Sequence, residues 1–542
     1  MTVAAWRKAL RSRPAAVRAA LAGIYGERSA MIAAREKKLG ELLDAFAAEF
    51  GADQPVVIAR APGRINLMGR HIDHRGGYCN LIAIHSDVWI VAAPRTDGRL
   101  LLRNLDPEFG PQDLDPTDLW RAADNRSWHG YIESDAVGAF LTANRGAWTN
   151  YPLGAWLRLR REFGDRVAGG LSAVFWGDVP RSVGLSSSSA VFVATAMALV
   201  RHARLDVEPT GLVELCGQGE WFVGTRGGAG DHAAMIFGRR GMISQIGFFP
   251  IHLARQAALP GRIEIVLCNS CQEAQKSKEA RDRFNARVAA YEIALAILRQ
   301  RWTRLTRPVK HLRDVNPATL GVGVDRIYEA LKTIPLWMTR KDVACTLPEQ
   351  IEEIETWFST HGDHEGGYPL RAVLLFGIAE CARSQHALEV LSSGDARQIG
   401  HLFAVSHDGD RVSRAGPSGR RAPWSAEYDD GYLDHLIRFS RSDEPADRDR
   451  AALVNQPGAY GCSTPEIDEM VDIAAATEGG IGAQLVGAGL GGSIVVLAQK
   501  GAAHTLRKAL ETRYYGPRRL ETDVHVFQPV EGASYLKINA ER

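Results

Sequence analysis

Two stretches of this chain gather residues that could do chemistry. The first, Gly177–Val191, reads G-D-V-P-R-S-V-G-L-S-S-S-S-A-V. An apolar run, Leu171–Trp176, precedes it, and Ala190–Val200 follows with apolar residues at helical spacing. The order strand, Gly/Ser loop, helix puts free backbone N–H groups and small hydroxyls at a helix N-terminus. Such a place attracts an anion, because the unpaired N–H groups and the helix dipole both favour negative charge. Gly184 permits close backbone approach. The serines Ser186–Ser189 add hydroxyl donors and a candidate magnesium ligand. A Ser-rich turn that caps a buried helix is the plainer reading, since serine is a good N-cap. The loop is not a Walker A sequence, for want of Gly-Lys-Ser/Thr, nor a dinucleotide fingerprint, for want of G-x-G-x-x-G.

The second stretch, A-P-G-R-I-N-L-M-G-R-H-I-D-H-R-G-G, runs from Ala61 to Gly77. It brings Arg64, Arg70, His71, Asp73, His74 and Arg75 within twelve positions, between the strand-like runs Pro55–Ala59 and Leu81–Ala93. That density of polar residues reads as a site on a loop held by a sheet; a solvated hairpin turn is the alternative. Farther on, T-R-G-G-A-G-D ends at Asp231. Its glycines free the backbone to wrap a ligand, and Asp231 either serves that ligand or caps the next helix.

The elements that must position these residues are partly visible. Residues 1–50 read as two amphipathic helices, the second with an apolar face of Leu39, Leu42, Leu43 and Phe46. Residues 106–145 are polar and irregular. Helices are expected over Trp148–Leu159, Leu212–Val223, Lys276–Gln300, Ala372–Leu391, Asp395–Phe403 and Pro465–Ala476, and strands over Ile263–Asn269, Ser493–Ala498 and Val524–Val530. A second Gly-rich turn, V-G-A-G-L-G-G, lies within Gln484–Gly492. The Gly-, Pro-, Arg- and Asp-rich run 408–449 reads as a surface insertion.

The chain has 542 residues, enough for more than one full-sized core. Hydrophobic and charged contents of 45% and 24% are ordinary for a globular protein. Sixty-five basic against 63 acidic residues give a net charge of +2, so nothing global argues for nucleic acid or an acidic membrane. No apolar run is long enough to span a bilayer, and the first 50 residues lack a secretory core. Seven scattered cysteines suit a reducing cytoplasm. The lone C-x-x-C at Cys268 and Cys271 has no second pair to complete a zinc site.

In order and spacing, three of these stretches together resemble the GHMP small-molecule kinases, and their galactokinase branch in particular. The 61–77 stretch is similar to that branch's sugar signature, the 177–191 stretch to its phosphate loop, and V-G-A-G-L-G-G to its third motif. Trp148–Tyr151, Cys268–Ser270, Leu402–His407 and Cys462–Glu469 sit where galactokinases have similar words. The resemblance implies an α+β, two-lobed fold with the active site between lobes: a helical extension at 1–48, an N-terminal lobe at 49–270, and a C-terminal lobe at 271–542 with insertions near 301–368 and 408–455. It implies an ATP-dependent, magnesium-dependent sugar 1-kinase, whose partners are a small sugar and ATP.

Site roles follow from the same resemblance. Gly184, Leu185, Ser186, Ser187, Ser188, Ser189 and Ala190 would hold the nucleotide. Ser188 and Glu220, eleven residues before Asp231, would bind Mg²⁺. Asp231 would be the catalytic aspartate and Arg64 its arginine partner. Arg70, His71 and Asp73 would meet the sugar. Galactokinases have Glu where this chain has Arg70, Tyr where it has His74, and a tyrosine where it has Phe284. A cation at position 70 could pair with a uronic carboxylate, which makes a galacturonate kinase an alternative to a galactose kinase. A non-catalytic sugar and ATP sensor is a third reading.

Overall fold

The structure, a computed structural model, describes residues 1–122, 127–181, 183–224, 227–272, 278–363 and 366–538. Ser182, Thr225, Arg226 and Lys276, which belong to stretches singled out above, lie outside that set.

Two strands carry the first sheet. Val57–Met68 and Tyr78–Arg95 form a long antiparallel hairpin around the 69–77 turn. Register shifts at Pro62/Arg64 and Asn66/Met68 mark where the strand bends past its Pro-Gly pair. Gly170–Gly177 pairs with Tyr78–Arg95, Leu100–Asn104 runs parallel to Gly170–Gly177, and Gln112–Leu114 forms that edge. Met242–Gly247 and His252–Ala258 extend the Tyr78 end. On the other side Ser534–Tyr535 pairs with Ala59 and Arg60.

This sheet is buried on both faces, which is why Leu81–Ala93 reads as nearly continuous apolar sequence rather than an alternation. Val88, Ile90 and Ala92 face a core shared with the helices Asn150–Phe163 and Ser187–His202. Trp89, Val91 and Ala93 face the opposite way, into a core built by the N-terminal helices. Those helices are three, Val3–Ser12, Pro14–Tyr25 and Ser29–Phe50, where the sequence suggested two. Pro14 begins the second helix and ends any continuation of the first.

A second, antiparallel sheet has the order Gly480–Val486, Ser493–Gln499, Ile263–Asn269, Val524–Phe527. The helices Pro465–Ala475 and Ala503–Leu510 pack on it. Ile263–Asn269 thus belongs to the second sheet, and Ser534–Tyr535 returns to the first, so the expected lobe boundary at 270 is crossed by both. Residues near 301–368 are not an appendage. Their short helices share one core with the long helices Lys278–Arg301 and Leu370–Ser393, and the Asp430–Ser440 helix of the 408–455 segment joins it. Among the described residues, no helix is long and apolar enough to cross a membrane.

The two-faced burial has a direct test. Ile90→Ala and Trp89→Ala should both lower the urea midpoint substantially, by about 2–5 and 3–5 kcal/mol in stability. A sheet with one solvated face would leave the Trp89 variant close to the parent.

Candidate functional site

The hairpin, the phosphate loop and the glycine turn before Asp231 meet at Arg64. Its Nε donates to Asp231 Oδ1 at 2.7 Å and its Nη1 donates to the Gly184 carbonyl. Its backbone N–H donates to the Leu185 carbonyl at 3.2 Å. Gly63 permits this approach. A Cβ there would stand 3.0 Å from Val179 Cγ1 and 3.1 Å from the Leu185 oxygen, inside normal contact distance.

Asp231 sits in the first turn of the helix Gly230–Phe237. Burial alone would raise its carboxyl, but the Arg64 guanidinium and the Ser186 hydroxyl, which donates to Oδ2, outweigh burial and hold it below the ordinary range. It is therefore ionised at neutral pH, and its proximity to the loop is fixed by two hydrogen bonds.

The cap reading of the serines is settled by Ser186. It stands at the N-cap of Ser187–His202 in a left-handed conformation, φ 58°, and its side chain makes no cap bond. The hydroxyl goes to Asp231 instead, and positive φ is uncommon for a non-glycine residue. Ser189 Oγ donates to Glu220 Oε2 at 2.7 Å. His232 Nε2 lies 2.8 Å from the same oxygen. Burial, followed by the nearby Glu220 charge, pushes the Tyr151 phenol up. Ser188, Ser189, Tyr151 and Glu220 thus form one oxygen-rich cluster at the helix start. Mg²⁺ takes few protein ligands, all hard oxygens, and leaves the rest to phosphates and water. The Ser188 hydroxyl and the Glu220 carboxylate fit that requirement.

The third motif packs against the Gly184 loop. Gly184, φ 82°, lies so close to the turn after Val486 that a Cβ would be 3.4 Å from the Val486 oxygen. Gln484 Nε2 donates to the Leu67 carbonyl at 2.6 Å and ties the second sheet to the first. Ser270 and Cys462, from two of the smaller words, bracket the same turn: Ser270 Oγ donates to Gly492 O at 2.6 Å, and Leu490 N–H donates to Cys462 O at 2.7 Å.

Asp73 faces the glycine turn before Asp231. A Cβ on Gly228 would fall 2.2 Å from Asp73 Oδ2 and one on Gly230 3.1 Å, so both glycines leave room for this carboxylate. Burial raises the Asp73 carboxyl, and the hydrogen bond and charge of His74, 3.2 Å away, more than reverse that. His71, φ 61°, stacks on Tyr460 at 4.2 Å between centroids, with Phe284 at 6.5 Å. Its Nε2 is 3.3 Å from Asp410 Oδ1.

Arg70 is where the sequence reading and the structure part. Its side chain is buried. Nε and Nη2 donate to Asp410 Oδ2 at 3.1 and 3.0 Å, and Nη2 also reaches the Ser406 carbonyl and hydroxyl. Gly69 and Arg70 N–H groups donate to Glu380, which also accepts from Arg383 at 2.9 Å. The result is a charge-balanced buried cluster, Arg70 and Arg383 against Glu380 and Asp410. Burial disfavours the Asp410 carboxylate, but His71 and Arg70 hold its pKa far down. Arg70 is a structural cation here, committed to a partner 340 residues away.

Sequence reading missed Asp410, His232 and Tyr151. Tyr151 stood in a recognised word, and His232 adjoins Asp231; nothing near Asp410 points to Arg70. Among the described residues, no cluster of three or more His, Cys, Asp or Glu side chains stands ready to hold a metal by itself.

Comparison with known proteins gives consistent matches along the chain. Three family models match: the galactokinase galactose-binding signature at residues 44–94, the GHMP kinases N terminal domain at 150–239, and the GHMP kinases C terminal at 444–516. A galactokinase of Dictyostelium discoideum is 23% identical over 498 residues, 89% of this chain and 88% of that protein. One from Roseiflexus sp. (strain RS-1) is 26% identical over 502 residues, 92% and 98%. Among solved structures, Lactococcus lactis galactokinase complexed with galactose superposes with a TM-score of 0.61 at 20% identity, covering 91% of this chain and 98% of that one. That likeness establishes the fold. With the signature and both domain matches in chain order and relatives aligned over most of the length, the chain is similar to the GHMP kinases, and to the galactokinases among them.

Proposed function

We propose that this protein is an ATP-dependent sugar kinase that moves the γ-phosphoryl group of ATP to the anomeric hydroxyl of galactose. The observation that carries this is the Arg64–Asp231 pair, 2.7 Å apart, standing between the phosphate loop and Asp73. The sugar hydroxyl attacks the γ-phosphorus, the bond to the β-γ bridging oxygen breaks, and ADP leaves. Asp231 accepts the hydroxyl proton as that bond forms. Its depressed pKa makes it a weak base, which suits a loose transition state where proton loss comes late and positioning matters more. Arg64 offsets charge on the transferring group as well as on Asp231. Asp73 and His71 orient sugar hydroxyls, and the N–H groups and serines of 184–190 hold the phosphates. Ser188 and Glu220 would hold Mg²⁺, which would supply charge neutralisation on the phosphates. The intact pair also disfavours a sensor that binds without turnover. The free cysteines fit a cytoplasmic location.

The galacturonate reading loses its cation, because Arg70 is bound to Asp410. Galactose should therefore be used far better than galacturonate in a coupled ATPase assay. Preference for galacturonate would overturn this assignment and hand the far end of the pocket to Arg287. That guanidinium lies one turn beyond Phe284, and burial lowers its pKa. Arg70→Glu would set a third carboxylate against Glu380 and Asp410. The expected result is a lowered Tm, equivalent to about 3–5 kcal/mol for a broken buried pair, with no switch of sugar.

Asp231→Asn should reduce kcat by ~10²–10⁴-fold while leaving ATP affinity near the parent's. Near-normal turnover in a folded variant would remove Asp231 from its role. Glu220→Gln should raise the Mg²⁺ concentration needed for half-maximal rate, and Ser188→Ala should do so less, because water can fill a Mg²⁺ position. Identical Mg²⁺ titrations of parent and both variants would remove Ser188 and Glu220 from metal binding.

A further inference from the structure

Residues 1–43 lie outside all three matched family spans. Yet the helix Ser29–Phe50 sends one guanidinium beneath the phosphate loop. Arg35 is buried; its Nη2 stands 2.7 Å from Asp178 Oδ2 and donates to the His85 carbonyl at 2.7 Å. Its guanidinium also lies over the Trp176 ring, 4.8 Å from the centroid. Asp178 is the residue with which the chain leaves the Gly170–Gly177 strand to begin the loop. It is clipped to Asp87 in both directions: its N–H donates to Asp87 O at 3.0 Å, and its Oδ1 accepts from Asp87 N–H at 2.8 Å.

From Asp178 the contacts run without a gap to the reacting groups. Val179, the next residue, and the Leu185 carbonyl at the other end of the loop both flank Gly63, where a Cβ would stand 3.0 and 3.1 Å from them. The Leu185 carbonyl accepts from the Arg64 N–H, and Arg64 holds both Gly184 and Asp231. The foot of the loop, its glycine turn and the catalytic pair therefore rest on one set of contacts. We propose that Arg35 is a positioning residue for the phosphate loop: by holding Asp178 it fixes where the 184–190 turn stands relative to bound ATP. The N-terminal helices thus do more than cover the sheet.

The two carboxylates at this point are not equally supported. Asp87 has Arg60 at 2.6 Å, the Tyr25 hydroxyl and the Trp89 indole N–H at 2.9 Å. Arg35 is 3.5 Å from it. Asp178 has Arg35 as its cation, and its side chain is 38% exposed. Without Arg35 it faces the Asp87 charge on one side and water on the other, so it turns outward and releases the loop's first residue.

This inference rests on the sugar-kinase reading, and its test separates the two. In the full-length protein, kcat, KM for ATP, KM for galactose and Tm are measured for the parent, Arg35→Met, Arg35→Lys, Asp178→Asn and Leu21→Ala. Leu21, buried in the N-terminal core and remote from Asp178 in sequence, controls for stability alone. Arg35→Met and Asp178→Asn should raise KM for ATP about tenfold with KM for galactose nearly unchanged, the scale of a small misplacement transmitted from a distance. Arg35→Lys should recover most of the loss. Leu21→Ala should lower Tm and leave KM for ATP alone. Should Arg35→Met fail to fold, the half-exposed Asp178→Asn carries the test. An unchanged KM for ATP in Asp178→Asn, a parallel rise in both KM values, or the same split in Leu21→Ala would overturn the proposal. A parent without ATP-dependent turnover of galactose refutes the kinase reading; an active parent with indifferent variants refutes the role of Arg35 only.

Discussion

The ion pair of Arg64 and Asp231 is the contact on which the site depends. A pair of charges taken from water is costly unless its remaining donors and acceptors are also satisfied. Here Arg64 bonds Asp231 and the Gly184 carbonyl, and Asp231 bonds Arg64 and Ser186. The phosphate loop is thereby recruited as the partner that completes the pair. That is why Ser186 adopts a left-handed backbone and why a Cβ at Gly63 would be crowded by the loop. Each of these local departures from ordinary preference serves the placement of one carboxylate.

The polar cluster around Arg70 plays a different part. Its four charged side chains come from the 69–77 turn and from the helices Leu370–Ser393 and Ala396–Asp410. Together with the Gln484–Leu67 bond it fastens the 69–77 end of the first sheet to the second half of the chain. The stacked His71 and Tyr460 rings sit directly on that junction.

Much of this was legible from residue types and order. The Ile263–Asn269 strand has the boundaries that its apolar pattern suggests, and the three glycine-containing words converge as their resemblance implies. What failed to show was choice among partners. A guanidinium at position 70 looks the same whether its acid is a ligand or an aspartate 340 residues on. A serine at a helix start suits a cap as well as a neighbouring carboxylate. Lobe membership was hidden for a related reason: a strand pattern gives the strand and not the sheet that receives it. The break at Pro14, by contrast, was visible in the sequence and simply outweighed by the continuous Ala-rich pattern around it.

The pairing of Ser534–Tyr535 with Ala59 and Arg60 bears on how the protein is made. Arg60 also donates to the carbonyls of Glu531 and Gly532, which pack on the end of the helix that carries Asp231. During synthesis the first sheet emerges early, yet these acceptors emerge hundreds of residues later. Until then the edge of the Val57–Met68 strand is open and a buried guanidinium lacks two of its partners. Nascent chains stalled before residue 531 should therefore hold the first sheet in an unfinished, chaperone-accessible form, and catalytic competence should arrive late and all at once.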